Sequence, residues 1–284
     1  MPYLIETRNI RKDHATLEDV LNSPVELALL QEVSPRDAVW IRTMPGVLCS
    51  SDPPGAGACA ILTRSGIITP LPAVDSQSLE PYGHFVIAGD VMLRDWPPLR
   101  VVCIHMRTRP WDVLPTLRAL GLDKPSVVPY LEHLFLDVLP PLLDGRSCLV
   151  GGDLNAGRTF DEVERTTTHT AWLEAVERHL INCYWELHHE ECRTFLKSRH
   201  PYQDDHLFLS QDWRGRLEQC YTYDTPSILS LNDHLPLVVE VSLGPPRPAI
   251  PLLQRHIHAR NHATDTTRCE RSQWLNDDLW PDVA

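Results

Sequence analysis

Residues 147–155 read SCLVGGDLN, and this stretch decides the fold. Cys148 to Val150 is apolar at successive positions, so the segment reads as a strand covered on both faces. Gly151 and Gly152 are read as ending it, since two glycines let the backbone turn tightly and come close to a ligand. Asp153 and Asn155 follow, two residues apart, so in extended chain they share one face. On that face one side chain can take a proton from water while the other donates a hydrogen bond to a phosphoryl oxygen.

The same pattern recurs outward from this stretch. LALLQE runs into Glu32, VVCIH into His105, and LSLNDH into Asp233 and His234. Strand ends are where a rigid scaffold presents functional side chains. Carboxylates brought together there repel one another unless a cation or shared protons relieve them. Hard oxygen donors of this kind suit magnesium or manganese. Asp-His recurs in DDH at 204–206 and NDH at 232–234, and a carboxylate that orients an imidazolium is a means of stabilising phosphoryl charge.

Further strands are expected at Tyr3 to Asn9, Val25 to Leu30, Ala58 to Thr63, His84 to Leu93, Leu99 to His105, Asp205 to Ser210, Glu218 to Tyr221 and Leu235 to Leu243. Helices are expected around Thr16 to Leu21, over Tyr130 to Leu139 with Pro140 and Pro141 ending it, and over Thr170 to Leu180. Strands with interspersed helices suit two facing sheets with helices outside. After Gly244 four prolines break regular structure and the chain turns polar, so residues 1–244 are read as the catalytic domain and 245–284 as a Pro-rich tail.

The 284 residues are 43% hydrophobic and 23% charged, enough for a large core. A net charge of -12 argues against tight non-specific coating of DNA, which needs a basic face, but not against catalysis on a phosphodiester beside a metal ion. The eight cysteines include no C-x-x-C pair, no segment approaches ~18 uninterrupted apolar residues, and MPYLIETRNIRKDH (1–14) holds no apolar stretch suited to a signal peptide. The expectation is therefore a cytoplasmic protein without a membrane span, a monomer by default.

LLQEV (29–33), GGDLNA (151–156), QDDHLFLS (203–210) and NDHLPLVVEV (232–241) stand in the order and spacing of the endonuclease/exonuclease/phosphatase superfamily, which this chain resembles over residues 3–243. The resemblance implies a four-layer α/β sandwich with two packed mixed β-sheets flanked by helices. It implies Glu32 as principal Mg2+ or Mn2+ ligand with Asn9 and Asp233 nearby. Asp153 would position or deprotonate the attacking water, and Asn155 would steady the transition-state oxygens. His234 would donate to the phosphate, oriented by Asp205, and His105 would be a second phosphate-facing imidazole. Two positions depart from the family pattern, Arg8 where Trp is frequent and Asn232 where Ser is frequent; neither removes a ligand.

Other readings stand beside these. Glu32 could cap a helix starting near Pro35, and Asp204 competes with Asp205 for His234. Arg107 and Arg109 could clamp a phosphate beside Trp111, or lie in a solvated loop. His188 and His189 point apart on a helix, and His256, His258, His262 and Cys269 lack a tight metal-binding pair. The expected function is a metal-dependent phosphodiester hydrolase, most readily a nuclease acting on DNA or RNA. The alternatives are a phosphatase or phosphodiesterase on a phosphoinositide, sphingolipid or nucleotide, and an inactive binding scaffold. Substrate choice would lie in loops 43–57, 107–128 and 193–203, which carry no readable code.

Overall fold

The computed structural model describes residues 2–51, 57–94, 96–107, 121, 126–225, 228–229 and 232–242. Arg109, Trp111 and the 245–284 tail, with its histidines and Cys269, lie outside the described residues.

The first half of the chain carries β1 (Tyr3–Asn9), α1 (His14–Asn22), β2 (Leu27–Val33), α2 (Pro35–Ile41), β3 (Val47–Cys49) and β4 (Ala58–Thr63). It continues through β5 (Ile67–Pro70), α3 (Ala73–Ser76), β6 (Val86–Met92) and β7 (Leu99–His105). The second half carries α4 (Val128–Glu132), α5 (Leu139–Leu143), β8 (Cys148–Asp153), α6 (Arg158–Glu164), α7 (Thr168–Glu177) and β9 (Leu180–Asn182). It ends with α8 (Cys183–His188), β10 (Asp205–Ser210), β11 (Leu217–Thr222) and β12 (Leu237–Val241).

The strands form two six-stranded mixed sheets, ordered β11-β12-β1-β2-β4-β3 and β5-β6-β7-β8-β10-β9. Strand alternation sorts the side chains into layers. Leu27, Leu29, Val101, Cys103, Leu149, Leu207 and Leu209 fill the space between the sheets. Their neighbours Ala28 and Leu30 pack outward against Leu17 and Val20 of α1, and Val102, Ile104, Val150 and Phe208 pack outward against Leu134, Phe135 and Trp172. Each apolar strand is thus covered twice, and each fully buried Leu or Val contributes about 1.5–3 kcal/mol. The result is a four-layer α/β sandwich.

Local chemistry sets several boundaries. Asp13 caps α1 by accepting the Thr16 N–H at 2.6 Å. Ser34 caps α2 by accepting the Asp37 N–H at 3.1 Å, with Pro35 in the first turn, so the helix near Pro35 is capped by Ser34 and not by Glu32. The glycines of GGDLN do not end their strand, which runs on to Asp153. Gly152 has φ +141°, and a Cβ there would lie 1.8 Å from the Ile104 carbonyl oxygen, so only glycine lets β8 pass so close to β7. Pro140 and Pro141 do not stop the helical run either. A π-helical stretch, His133–Val138, leads into α5, and the prolines sit in its first turn, where a missing N–H costs little.

Candidate active site

The two parallel pairs, β1·β2 and β7·β8, end beside one another across the sandwich. Asn9, Glu32, His105 and Asp153 are their last or nearly last residues. β10 runs antiparallel to β8 with Asp205 opposite Asp153, which puts the first residue of β10 at the same edge. The 232–234 turn leads into β12, which pairs antiparallel with β1, and brings His234 in from the other sheet.

The side chains meet. Asn9 Nδ2 donates to Asp153 Oδ2 at 2.9 Å and to Glu32 Oε1 at 3.4 Å. His105 Nε2 lies 3.6 Å from Glu32 Oε1 and 3.9 Å from Asp153 Oδ2. His234 Nε2 is also 3.9 Å from Asp153 Oδ2, and its Nδ1 is paired with Asp205 Oδ2 at 2.8 Å. Asp205, not Asp204, is therefore the carboxylate on His234. Asn155 Nδ2 donates to Asp153 Oδ1 at 2.8 Å and to the Met106 carbonyl at 2.8 Å. Glu32 and Asn155 hold φ values of +54° and +50°, left-handed backbone that non-glycine residues rarely adopt and that collects at functional sites. Gly57 makes room for this at Glu32, since a Cβ there would sit 2.7 Å from the Glu32 Cα.

The electrostatics follow from burial and partners. Burial raises Asp153 well above the carboxylate range; His234 pulls it back, while Asp205 and Asp204 push it higher. Burial also lifts Asp204 to about 7. Burial pulls His234 down, but Asp205 and Asp153 outweigh it and raise its pKa to about 10. His105 falls to about 3 through burial, with the nearby positive groups of His234, Arg107, His84 and Lys12 adding to the fall.

The donor set fits a hard divalent cation. Ligand atoms of Asp153, Asp205 and His234 lie within 4.8 Å of one another, with Glu32 and Asn9 adjoining. Oδ1 of Asp204 and of Asp205 are buried without a hydrogen-bond partner among the described residues. A cation would relieve this concentration of buried acid. Within the cluster, His234 and Asp205 are already committed to each other, which leaves the Glu32–Asn9–Asp153 side as the more open one. Asn9 Oδ1 accepts the Arg11 N–H at 3.0 Å, so its amide nitrogen faces the acids and orders them.

Asp233 faces other partners. Its Oδ2 lies 2.9 Å from Lys197 Nζ and 3.5 Å from Arg11 Nε. Arg107 is exposed and close enough to depress His105. His188, at the end of α8, meets the Cys220 carbonyl through its Nε2 at 2.8 Å.

Some supporting residues escape a reading of motifs. Asn232 Nδ2 donates to the Asn9 carbonyl at 2.6 Å, while its Oδ1 accepts from the N–H groups of Asp233 and His234, so it pins the turn to the end of β1. Its sequence signal is the Asn standing where Ser is frequent. Thr194 Oγ1 accepts from the N–H groups of Asp204 at 2.9 Å and Asp205 at 3.1 Å, and fixes where β10 begins. Thr194 and Lys197 lie in a loop without periodicity, so no pattern announces them.

The model of the Endonuclease/Exonuclease/phosphatase family matches residues 8–227. Among solved structures, the chain is similar to the endonuclease domain of TRAS1, a telomere-specific non-LTR retrotransposon, at 17% identity and TM-score 0.58, covering 86% of this chain and 100% of that one. An AP endonuclease from Archaeoglobus fulgidus aligns at 15% identity and TM-score 0.60, covering 85% and 100%. The 3′ phosphatase NExo from Neisseria, bound to product DNA hairpin, aligns at 16% identity and TM-score 0.59, covering 84% and 99%. No curated protein matches the chain. These identities show a shared fold, and no helix among the described residues is long and apolar enough to cross a membrane. With 220 consecutive residues matched, from 8 to 227, the chain belongs to the endonuclease/exonuclease/phosphatase family, hydrolases that are mostly phosphoesterases.

Proposed function

We propose that the chain is a divalent-metal-dependent phosphodiester hydrolase, and that its substrate is a nucleic acid. The observation that carries this reading is the contact of Asn9, Glu32, His105, Asp153 and His234, drawn from both sheets into one acidic edge. Glu32, with Asp233 near it, would hold Mg2+ or Mn2+, and Asn9 would join them once its amide turns to present Oδ1 in place of the Nδ2 that now faces the acids. When bound, that ion supplies neutralisation of the charge that develops on phosphoryl oxygens.

The remaining steps belong to the chain. Asp153 takes a proton from the attacking water; a nearby positive charge returns it to the carboxylate form it needs. Asn155 has committed its amide to Asp153 and the Met106 carbonyl, so its first task is to hold that base in line. Steadying a phosphoryl oxygen would require the amide to exchange partners. His234, kept cationic by Asp205, donates to the phosphate. His105 is neutral and offers a weaker contact. Arg107 and Arg109 would meet flanking phosphates.

Nucleic acid is favoured because two of the folds it resembles are named endonucleases and a third is bound to DNA product. The net charge of -12 favours a second reading, a smaller phosphoester that needs no basic groove. One substrate panel, run with Mg2+ and with chelator, decides between them. It should hold single- and double-stranded DNA, abasic DNA, RNA, nucleotides and inositol phosphates. Glu32→Gln and Asp153→Ala should each lower hydrolysis at least about a thousandfold while the circular dichroism spectrum stays unchanged. Retained activity in either purified variant would sink the mechanism.

A further inference from the structure

Asp233 stands beside the metal in the proposed function, yet its carboxylate is engaged by two cations. Lys197 and Arg11 are about half exposed, at 52% and 47%, whereas the Asp233 side chain is 14% exposed. An exposed ion pair of this kind usually contributes little, a factor of about five at most, largely because two long side chains must be immobilised.

Here the loop is fixed in advance. Leu196 N–H donates to the Asp233 carbonyl at 2.7 Å, and Leu235 N–H to the Thr194 carbonyl at 2.7 Å, so residues 194–196 lie along the 233–235 segment. The exposed Arg193 guanidinium then braces the turn, donating to the carbonyls of Phe195 at 3.1 Å, Leu196 at 2.5 Å and Ser198 at 2.7 Å. Phe195 packs against the His234 ring at 5.1 Å. Lys197 is the next residue of that braced turn, and it is delivered onto Asp233.

A carboxylate paired with two cations is a poor ligand for a third. A phosphate oxygen is a better partner for both than a shared carboxylate, since each can then make its own charge-assisted contact. We infer that Lys197 is a positioning residue that couples phosphate binding to metal binding: it holds Asp233 until a substrate phosphate draws it away, and only then is Asp233 free to face the ion. The inference rests on the placing of Asp233 beside the metal in the proposed function. Such coupling is reciprocal, so substrate and metal each tighten the other.

Calorimetric titration of the substrate-free protein with Mn2+ tests it. Lys197 is on the surface, so its variants leave the core intact. Lys197→Met should bind Mn2+ about two- to fivefold more tightly than wild type, the range of one exposed ion pair. Lys197→Arg should restore wild-type affinity. Arg199→Gln removes the same charge from the same loop, but Arg199 Nε is bonded to His200 Nε2 at 3.1 Å and not to Asp233, so it should leave Mn2+ affinity unchanged. With a phosphorothioate-linked oligonucleotide present, the gap between wild type and Lys197→Met should close. Equal or weaker Mn2+ binding by Lys197→Met, an equal gain in Arg199→Gln, or a gap that persists with the oligonucleotide bound overturns the inference, whereas an oligonucleotide that does not bind overturns the nucleic-acid reading. Wild type that takes up no Mn2+ overturns instead the metal reading beneath it.

Discussion

His105 and His234 stand at the same distance, 3.9 Å, from the same oxygen of Asp153, yet His105 is neutral and His234 cationic. Both are buried, and burial drives both toward neutrality. His234 gains a carboxylate in direct hydrogen-bond contact, Asp205 at 2.8 Å, and its pKa rises to about 10. The His105 Nδ1 has no hydrogen-bond partner among the described residues, and its closest acid, Glu32, is 3.6 Å away; its pKa falls to about 3. Proximity to a shared acid is thus insufficient to charge an imidazole in this interior. The charge of a second carboxylate, Asp205, held against the other ring nitrogen at 2.8 Å decides which ring is the cation, and the hydrogen bond between them adds to it.

The largest test of that contrast is Asp205→Asn, which keeps the shape and removes the charge. His234 is held protonated well past neutral pH, so the donor form is present below about 10 and is lost above it. In wild type the alkaline limb of kcat/KM set by His234 therefore lies near that value. In the variant the limb should move toward neutral pH, and kcat/KM near pH 7 should fall by about 10²–10³-fold, the usual loss for one transition-state donor. A pH–rate profile with an unmoved alkaline limb would break the contrast.

A buried acid whose cation stands at a similar distance, without a hydrogen bond to it, sharpens it. Ile5 of β1 points between the sheets, so Glu6 and Arg8 point to the outer layer. There Arg8 Nη1 is 3.7 Å from Glu6 Oε1 but 2.8 Å from Asp19 Oδ2, and the Tyr223 hydroxyl donates to Glu6 Oε2 at 3.3 Å. Burial raises Glu6 to about 7, more than Arg8 and Tyr223 can pull back. The folded-state pKa exceeds the unfolded one, so the native state binds this proton more tightly. The stability that comes with it is complete below about 4.5 and is lost as pH rises through about 7. Glu6→Gln carries no such dependence. Between about pH 5 and pH 8 its stability relative to wild type should improve by roughly 2.5 kcal/mol, since each tenfold difference in proton affinity between the folded and unfolded chain is worth ~1.4 kcal/mol. Chemical denaturation at the two pH values measures this. A constant difference would mean that Arg8 neutralises Glu6 even without close contact, and would weaken the explanation of His105 with it.

Legibility in the sequence varies with the physical signal. β7 and β10 are legible to the residue because each is an apolar run bounded by a change of character. The end of β8 is not, because glycine ordinarily marks a turn; the reason for Gly152 here, the Ile104 carbonyl on the neighbouring strand, is a tertiary contact. β3 and β5 are edge strands of three and four residues, too short for alternation to show. In the site, acids and imidazoles at strand ends are legible because residue type and strand period both point inward. Strand period allows only one of Asp204 and Asp205 to face His234, and the spacing to LFLS at 207–210 favours Asp205, the one the structure pairs with it. The clamping of Asp233 by Lys197 is not legible, since it depends on a turn braced by Arg193 and on no repeating pattern.

The smallest expected effect is the most direct reading of the contrast itself. His105 is neutral, so replacing it by another neutral donor of similar reach should cost little. His105→Gln should lower kcat/KM by no more than about tenfold, the worth of one uncharged hydrogen bond. His234→Gln removes a cation and should cost about 10²–10³-fold, as for the loss of its orienting acid. The two rings share the Asp153 oxygen between them at equal distance, so distance from the base cannot explain unequal losses. Carbon-13 labelling of the imidazoles gives a second readout: the His105 resonance should stay fixed through the neutral range while that of His234 moves only at the alkaline end. Equal kinetic losses with both resonances titrating together would mean that both rings carry charge in the working protein, and that Asp205 orients His234 without deciding its protonation.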